Sequence, residues 1–481
     1  MSNRSRSEKV GFLVVAAMLL TVAGCRVGPN YKRPAVPTAP EYRGAEQDVK
    51  ATGSAAQTIA LGDQKWWDVF ADPQLQELIR KGLQQNYDVR VAAERIVQAN
   101  AQLGITRANQ FPTLNGTADY TGQRVSQASL GIAGFSPEAT NTGSLGLSAS
   151  WNLDFWGKYR SATEAARAQM LSSEWAHRAV LSTVVMDIAT GYFQLRTLDL
   201  QLEVSKRTLA ARQESLKLTR ALNDGGAGTL LDVRQSEQLV LTAQEEIPDL
   251  ERQIEQEEDT ICALLGENPH PIPRGLPIDQ QPHPPTVPAG LPSTLLERRP
   301  DILEAEANLI AANAEIGVAR AAYFPQISLT GSASTQTNQL SKLFSGPSYA
   351  WNYGPTSVSV PIFNAGSIRN NVRMTESEER QALLTYQQTI ANAFRDVSKS
   401  LVAYRKYREY REQQEQLTAS AQDAARLSQA LYQEGQDSYL EVLTSDTNYF
   451  TAELNLAIAR QNELLSLVQL YNALGGGWET K

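Results

Sequence analysis

Acidic and aromatic side chains gather beside two short glycine-containing reversals of the chain. The first reversal carries Asp224 and Asp232, and the second carries Tyr432, Asp437, Tyr439, Leu440, Glu441 and Asp446. Carboxylates repeated around an axis repel one another and attract cations, and a ring of leucines forms an apolar constriction. The sequence therefore predicts a gate for ions and solutes at these reversals. The alternative is structural, with the aspartates of the first reversal capping helix ends and Leu440 packing between helices.

The residue types that carry catalysis or bind metals form no recognisable set. The three histidines, His177, His270 and His283, have no metal-ligand spacing with Cys, Asp or Glu. Gly157-Lys158 lacks the upstream glycines of a phosphate-binding loop, and no Ser or Cys nucleophile motif occurs. We therefore expect neither an enzyme nor a bound metal or cofactor.

The composition limits the possible partners. The chain has 481 residues and a net charge of −8. Lys and Arg form no cluster, so nucleic acid is not an expected partner. Aromatic residues make up only 7% of the chain although 42% of it is hydrophobic. This bias suits long helices that pack through small side chains.

The N-terminus has the features of an export signal. An apolar run from Val10 to Val22 follows basic residues and is too short to span a bilayer comfortably. Ala23-Gly24-Cys25 at its end looks like a bacterial lipoprotein signal, which would make Cys25 the acylated first residue of the mature chain. The alternative is an ordinary secretory signal followed by an unmodified cysteine. Arg26 is compatible with sorting to the outer membrane, and Cys262 is expected to be a small buried hydrophobe.

Two ladders of apolar residues flank the first reversal at seven-residue intervals. The outgoing ladder is Leu195, Leu202, Leu209 and Leu216, and the returning ladder is Val233, Val240, Ile247, Ile254 and Ile261. A strict seven-residue period twists paired helices into a left-handed coiled coil. The turn glycines, Gly225, Gly226, Gly228 and Gly435, are expected to supply the positive φ values of the reversals.

The second half of the chain repeats the first. Gly157 recurs as Gly366, and Phe111-Pro112 recurs as Phe324-Pro325. The spacing between these landmarks differs slightly between the copies, so the chain is a tandem duplication with a small change in length.

Four runs alternate apolar with small polar residues. They are Thr113–Thr121, Ser144–Leu153, Ile327–Ser334 and Thr356–Ile362, and the residues upstream of the fourth run break its phase. Each run has about the length of a tilted transmembrane strand, with a Ser/Thr/Asn/Asp face suited to a wet lumen. The alternative is a half-buried sheet in a soluble domain.

Four strands cannot close a barrel, and an open sheet edge is not tolerated in lipid. Two copies would give eight strands around a filled interior, whereas three would give twelve strands and room for a channel. We therefore predict an α+β membrane protein with an internal tandem repeat. In it, a homotrimer completes a 12-stranded outer-membrane β-barrel, continued by a long coiled-coil α-barrel.

The predicted segments follow in chain order. They are a signal peptide (1–24), an extended tether (25–71), an α-barrel helix (72–110), a β-barrel hairpin (111–156), a long helical hairpin (157–267), a proline-rich equatorial connector (268–296), a second α-barrel helix (297–322), a second β-barrel hairpin (323–365), a second long helical hairpin (366–474) and a tail (475–481).

Motifs along the whole mature chain resemble the TolC-like outer-membrane factors, in particular the NodT group of lipoprotein ducts. The motifs are Cys25, Val27-Gly28-Pro29-Asn30-Tyr31, Trp66-Trp67, Phe70, Asp72-Pro73, Trp151, Asp154, Gly157, Arg299-Pro300-Asp301-Ile302, Phe324-Pro325, Pro361, Phe363, Gly366, Gly435, Leu440, Val442-Leu443 and Leu474-Gly475-Gly476-Gly477-Trp478.

The resemblance implies a passive outer-membrane duct that works with a periplasmic adaptor and an inner-membrane RND pump. A type I protein-secretion duct is the alternative within the same architecture, and an envelope scaffold is the alternative outside it. The resemblance also implies that residues at Tyr432, Leu440, Glu441 and Thr444 help to close the periplasmic end. Many members have Asp where this chain has Thr444, which leaves Glu441, Asp437 and Asp446 as the acidic candidates.

Overall fold

The structure is a computed structural model that describes residues 26–36, 61–126, 138–281, 292–354 and 357–479. Within those ranges the chain divides into two compact units. The first draws on residues up to 34, 97–172 and 306–385, and the second on the rest. The signal peptide, Cys25, most of the tether and His283 lie outside the described residues.

Helices make up most of the described chain. They are α1 (Trp66–Val69), α2 (Pro73–Gln85), α3 (Tyr87–Ala108), α4 (Lys158–Asp224), α5 (Leu230–Leu265), α6 (Pro292–Arg298), α7 (Pro300–Ala321), α8 (Ser367–Gln433) and α9 (Tyr439–Ala473). Short 3₁₀ turns occupy Leu61–Asp63, Ile278–Gln280, Leu340–Lys342 and Gly346–Ser348. Among the described residues, none of the helices has the combined length and apolarity that crossing a bilayer requires.

The seven-residue ladders form the contact between α4 and α5 in the second unit. Leu216, Val233 and Val240 are buried together, and Leu209 packs against them. Nearer the other end of the pair, Leu195 and Ile261 are fully buried. Helix α4 alone has 67 residues, which corresponds to about 100 Å at 1.5 Å per residue.

The segment 72–110, expected to be one helix, is two helices interrupted at Asn86. The side-chain oxygen of Asn86 accepts hydrogen bonds from the backbone N–H groups of Asp88 and Val89. Its amide nitrogen donates to the carbonyl of Leu264 at 2.8 Å. One side chain thus satisfies the free N–H groups of a new helix and ties the break to α5, so the interruption costs little.

The first unit contains an antiparallel sheet. Its strands are β1 (Thr113–Gln123), β2 (Thr140–Leu153), β3 (Gln326–Thr337), β4 (Tyr349–Tyr353) and β5 (Ser357–Ser359). The order is β1-β2-β3-β4, and β5 also pairs with β3. Residues that lie side by side on neighbouring strands share their polarity. Asn115, Ser148 and Ser332 form a polar row, and Leu114, Ala149 and Gly331 form an apolar one.

The predicted fourth strand is shorter than expected and is preceded by a separate strand. Between the pair Tyr353 with Gly331 and the pair Ser359 with Gln326, the β4–β5 side contains one residue more than β3. Tyr353 and Val358 are therefore an odd number of residues apart, yet both lie on the apolar side of β3. This accounts for the break in phase that the sequence shows.

An extended N-terminal strap, residues 26–33, runs alongside α7 within the first unit. The N–H of Val27 donates to the carbonyl of Trp156, and the Asn313 amide donates to the carbonyl of Pro29 at 3.1 Å. Further along, Arg33 pairs with Glu306 at 2.9 Å. The strap therefore begins beside the residues that follow β2.

Asp72, in the second unit, is a fully buried carboxylate. Its two oxygens accept five hydrogen bonds, from the backbone N–H groups of Gln74, Leu75 and Leu276, the Gln281 amide and the Tyr192 hydroxyl. Burial opposes ionisation of Asp72, but the Gln281 and Tyr192 hydrogen bonds and those from the backbone hold its pKa below the usual value. Asp72 thus ties the start of α2 to α4 and to the connector.

Replacing Asp72 with Asn should lower the free energy of unfolding by about 2–4 kcal/mol, because several buried donors lose their charged acceptor. Tyr192→Phe, which removes one donor and keeps the carboxylate, should cost about 1 kcal/mol. Thermal unfolding of the detergent-solubilised protein, followed by circular dichroism, measures both.

Comparison of Asp72→Asn with the wild type also tests how stability depends on pH. Because the folded pKa of Asp72 is lowered, its stabilisation is complete above the unfolded value of 3.8 and is lost as the pH falls through the folded value. Asp72→Asn should therefore lose less Tm than the wild type between about pH 5 and pH 2. An equal loss in both proteins would contradict this role.

Candidate functional site at the helical hairpin ends

The two reversals use their glycines in different ways. Gly226 and Gly435 have positive φ values of 75° and 70°. Gly225 and Gly228 do not, contrary to the expectation that every turn glycine would. A Cβ on Gly228 would lie 3.2 Å from the backbone nitrogen of Asn223, so this glycine is needed for close approach of the chain.

The aspartates of the first reversal have the structural environment of helix ends. Asp232 forms a capping box with Thr229: the Thr229 N–H donates to Asp232 at 2.9 Å, and the Asp232 N–H donates to the Thr229 hydroxyl at 3.2 Å. Asp224 is exposed and is the last residue of α4. The capping alternative therefore describes Asp232 in this chain.

The second reversal holds both buried and exposed members of the predicted gate. Tyr439 is buried, and its ring meets that of half-buried Tyr432 edge to face at 5.2 Å. Burial, followed by the charge of Asp232 and the nearby Tyr439, raises the pKa of Tyr432. Tyr432 therefore lies within electrostatic range of the first reversal.

Three predicted gate residues remain exposed at the second reversal. They are Asp437, Leu440 and Glu441. Asp437 accepts a hydrogen bond from the N–H of Ser438 at 2.7 Å, and the Thr444 hydroxyl bonds to the carbonyl of Leu440 at 2.8 Å. Their exposure leaves Asp437, Leu440 and Glu441 available to other copies of the chain.

Asp446, predicted as a free gate carboxylate, is paired instead. Its partner is Arg212, whose Nε lies 2.7 Å from the Asp446 carboxylate and whose side chain is only 2% exposed. Arg212 also donates to the carbonyl of Leu239 at 2.9 Å, and its guanidinium lies 4.8 Å from the centre of the Phe450 ring. This one side chain joins α4, α5 and α9, and hence both hairpins.

A second ion pair joins the same two hairpins further from the reversals. Arg207 of α4 pairs with Glu453 of α9, which also accepts a hydrogen bond from the Tyr449 hydroxyl at 2.9 Å. The Glu453 side chain is 13% exposed. Two arginines on one helix therefore face two carboxylates on the other.

A cleft of about 780 Å³ lies between the hairpins beside the Arg212–Asp446 pair. Its lining includes Tyr439, Tyr449 and Gln429. The Tyr439 hydroxyl is buried in the structure without a hydrogen-bond partner among the described residues. Beside the reversals, the hairpins are thus joined by polar contacts around a cavity.

Sequence reasoning missed Arg212, although a signal was present. Three residues after the last three leucines of the outgoing ladder stand Ser205, Arg212 and Thr219, and all three are buried. These positions are the second set of residues that face the partner helix in a coiled coil. An arginine at such a position needs a buried partner. That requirement could have been recognised, but the identity of the partner could not.

Two further expectations concern metals and thiols. Across the described ranges, no three or more His, Cys, Asp or Glu side chains are grouped so that they could hold a metal ion. Cys262 is buried, and its thiol donates to the carbonyl of His270. Burial raises the pKa of Cys262, which disfavours the reactive thiolate.

The chain is similar over nearly its full length to proteins named as efflux components. It is 37% identical to the probable efflux pump outer membrane protein TtgC of Pseudomonas putida, over 97% of this chain and 95% of TtgC. It is 33% identical to the cation efflux system protein CusC of Escherichia coli, over 97% of this chain and 99% of CusC.

Solved structures share the fold. The open-state MtrE outer membrane channel of Neisseria gonorrhoeae superposes with a TM-score of 0.85 at 30% identity, over 95% of this chain and 99% of MtrE. A CusC structure gives 0.84 at 32% identity, over 94% of this chain and all of that one. These similarities confirm the predicted fold class of a trimeric outer-membrane channel with a β-barrel and an α-barrel.

The two halves of the chain are each recognised as a family repeat. A sequence profile described as outer membrane efflux protein matches residues 78–267 and again 291–476. The tandem repeat seen in the sequence is therefore the repeat of that family. The chain belongs to the outer membrane efflux protein family.

Proposed function

We propose that this chain is the passive exit duct through which a tripartite pump expels toxic small molecules. An inner-membrane RND pump would supply the energy, and a periplasmic adaptor would connect it to the duct. The observation that carries the proposal is the similarity over 96–97% of the chain to proteins named as efflux pump outer membrane components. The small polar side chains of Asn115, Ser148 and Ser332 form one continuous row, which suits a water-filled passage.

The compounds themselves are not specified by the chain. Relatives are named for toluene, for antibiotics and for cations. Hydroxyl and amide side chains in a lumen bind none of these classes strongly, so selection would take place in the pump. A type I protein-secretion duct is the competing function, and it would use the same barrel for an unfolded polypeptide.

Deleting the gene should lower the minimum inhibitory concentration of several solvents or antibiotics, because the pump would lose its outlet. The measurement is a susceptibility panel, with the secreted proteins of the same strains compared by mass spectrometry. Restoring the wild-type gene is the control. Unchanged susceptibility combined with the loss of one secreted protein would contradict the efflux function and support the secretion duct.

We further propose that the hairpin ends form the gate and that the Arg212–Asp446 pair holds its closed arrangement. Around a threefold axis, exposed Asp437 and Glu441 would give rings of carboxylates that repel one another and attract cations. Repulsion favours opening, whereas the buried ion pair joins the two hairpins of each protomer. Leu440, 55% exposed, would form the apolar constriction.

Asp446→Asn should increase the single-channel conductance or the open time in planar bilayers. The substitution leaves Arg212 buried without a counter-charge, which disfavours the joined hairpins by about 2–4 kcal/mol. The double variant Arg212→Met with Asp446→Leu should return conductance toward the wild type, because an apolar pair can replace a buried ion pair.

Asp423→Asn is the matched control for this gate. Asp423 is also in the wall of the cleft, but its 3.6 Å contact is with exposed Arg426 on the same helix. Its conductance should equal that of the wild type. Equal conductance of Asp446→Asn, Asp423→Asn and the wild type would contradict the assigned role of Arg212.

We also propose that Cys25 carries the acyl chains that anchor the mature protein in the outer membrane. The strap supports this, because Val27 is bonded to Trp156 and Trp156 donates to the carbonyl of Pro325 at 2.8 Å. Both contacts are a few residues from the sheet, after β2 and before β3. An acylated residue immediately before the strap would therefore start close to the strands that cross the membrane.

Cys25→Ser should leave the N-terminal peptide without acyl chains, because the thiol is the site of thioether formation. Mass spectrometry of that peptide compares the variant with the wild type, and outer-membrane fractionation measures the consequence. Cys262→Ser is the control and should keep the acyl mass. A wild-type peptide that begins before residue 25 or has no added acyl mass would contradict the anchor.

A further inference from the structure

We propose that β5 of one protomer pairs with β1 of its neighbour in one defined register, which the internal repeat fixes residue by residue. Trimer formation alone does not determine this register. The inference concerns the seam between protomers and depends neither on the proposed gate nor on the transported compound.

Two landmarks relate the halves of the sheet. Gly157, which follows β2, corresponds to Gly366, which follows β5. Pro112, which precedes β1, corresponds to Pro325, which precedes β3. Counting back from the glycines matches Ser148, Ala149 and Ser150 of β2 with Ser357, Val358 and Ser359 of β5. Counting forward from the prolines matches Thr113, Leu114 and Asn115 of β1 with Gln326, Ile327 and Ser328 of β3.

The observed sheet provides a check on this correspondence. In the first hairpin, Thr113 lies opposite Ser150, and the pairing continues through Asn115 opposite Ser148. Translated into the second half, these pairs become Gln326 opposite Ser359 through Ser328 opposite Ser357. Those are the observed pairs between β3 and β5. The correspondence therefore holds at the level of single backbone pairs.

The pairing between β2 and β3 has no equivalent within one chain. Its translated partners are β5 and β1, which lie at opposite edges of the sheet. Ser150 lies opposite Thr330, and Ala149 lies opposite Gly331. Translation of these pairs places Ser359 opposite Thr117 of the partner subunit, and Val358 opposite Ala118 of the partner subunit.

Side-chain exposure supports a second copy at this seam. Leu153 and Ile327 lie opposite each other and are half-buried. Their equivalents, Ile362 and Leu114, are 95% and 71% exposed. The missing neighbour of each is therefore the residue that another copy presents in the translated register.

The strand-to-helix junctions show the same difference. Phe324 stacks on Trp156 with ring centres 4.8 Å apart. Its equivalent, Phe111, is 56% exposed. The junction after β5 is also uncovered, since Phe363 is 88% exposed. A neighbouring protomer whose β1 pairs with β5 would bring its Phe111 to this junction.

Paired cysteines test the register. One protein carries Ser359→Cys with Thr117→Cys, and a second carries Val358→Cys with Ala118→Cys. Residues directly opposite in an antiparallel pair have Cβ atoms about 4.5–5.5 Å apart, close enough for a disulfide after slight adjustment. Copper–phenanthroline supplies the oxidant, and we expect covalent dimers and trimers on non-reducing gels that return to monomer on reduction.

A protein with Ser359→Cys and Asn115→Cys is the matched control. It keeps both cysteines on one face but shifts the register by two residues, which separates Cα atoms by about 7–8 Å. Single-cysteine variants measure any background from Cys25 and Cys262. Preferential linking of the shifted pair, or no linking of either proposed pair in a protein that sizes as a trimer, would overturn the register.

Susceptibility measured on the same strains separates this inference from the proposed function. The paired-cysteine proteins could link in the proposed register while deletion of the gene leaves susceptibility unchanged. That combination would support the seam and overturn only the efflux function.

Discussion

The structure depends on a single constraint, the need to satisfy backbone hydrogen bonds at the edges of a sheet in hydrocarbon. Each unpaired N–H or C=O costs several kcal/mol where no water can replace its partner. One chain provides β1 at one edge and β4 with β5 at the other. Because neither edge can pair with the other within the chain, copies must complete the wall. The polar face of the sheet lines a passage only once that wall is closed.

The helical part is held by two kinds of contact with different roles. Within the first hairpin the ladder residues Leu209, Leu216, Val233 and Val240 form a continuous apolar seam, which is non-directional and tolerates small movements. Beside the reversals, the contacts between the hairpins include ion pairs next to a cavity, and such contacts depend on geometry. Such an arrangement keeps each hairpin intact while the relation between the two hairpins can change.

Much of the architecture could be predicted from periodicity. The seven-residue ladders indicated the long helices, and alternation of apolar with Ser, Thr and Asn indicated β1, β2 and β3, because burial on one face imposes those periods. The interruption at Asn86 could not be predicted, since it depends on a carbonyl of Leu264 far away in sequence. The one-residue offset between β4 and β5 appeared in the sequence only as an unexplained break in phase.

The candidate site was predicted less completely than the fold. Composition identified the acidic reversals, but it could not distinguish a carboxylate that lines a passage from one that caps a helix or pairs with arginine. Asp232 does the second and Asp446 the third. The pairing of Asp446 depends on α9 of the second hairpin packing beside α4 of the first, and the sequence does not show which helices are neighbours.

The most direct test of the central claim is the native mass of the detergent-solubilised protein. If the sheet is one third of a closed wall, the mass must be that of three chains, stable over the concentration range of the measurement. A stable single chain, or an assembly of two, would leave the sheet edges unpaired or the barrel too narrow, and would contradict the account.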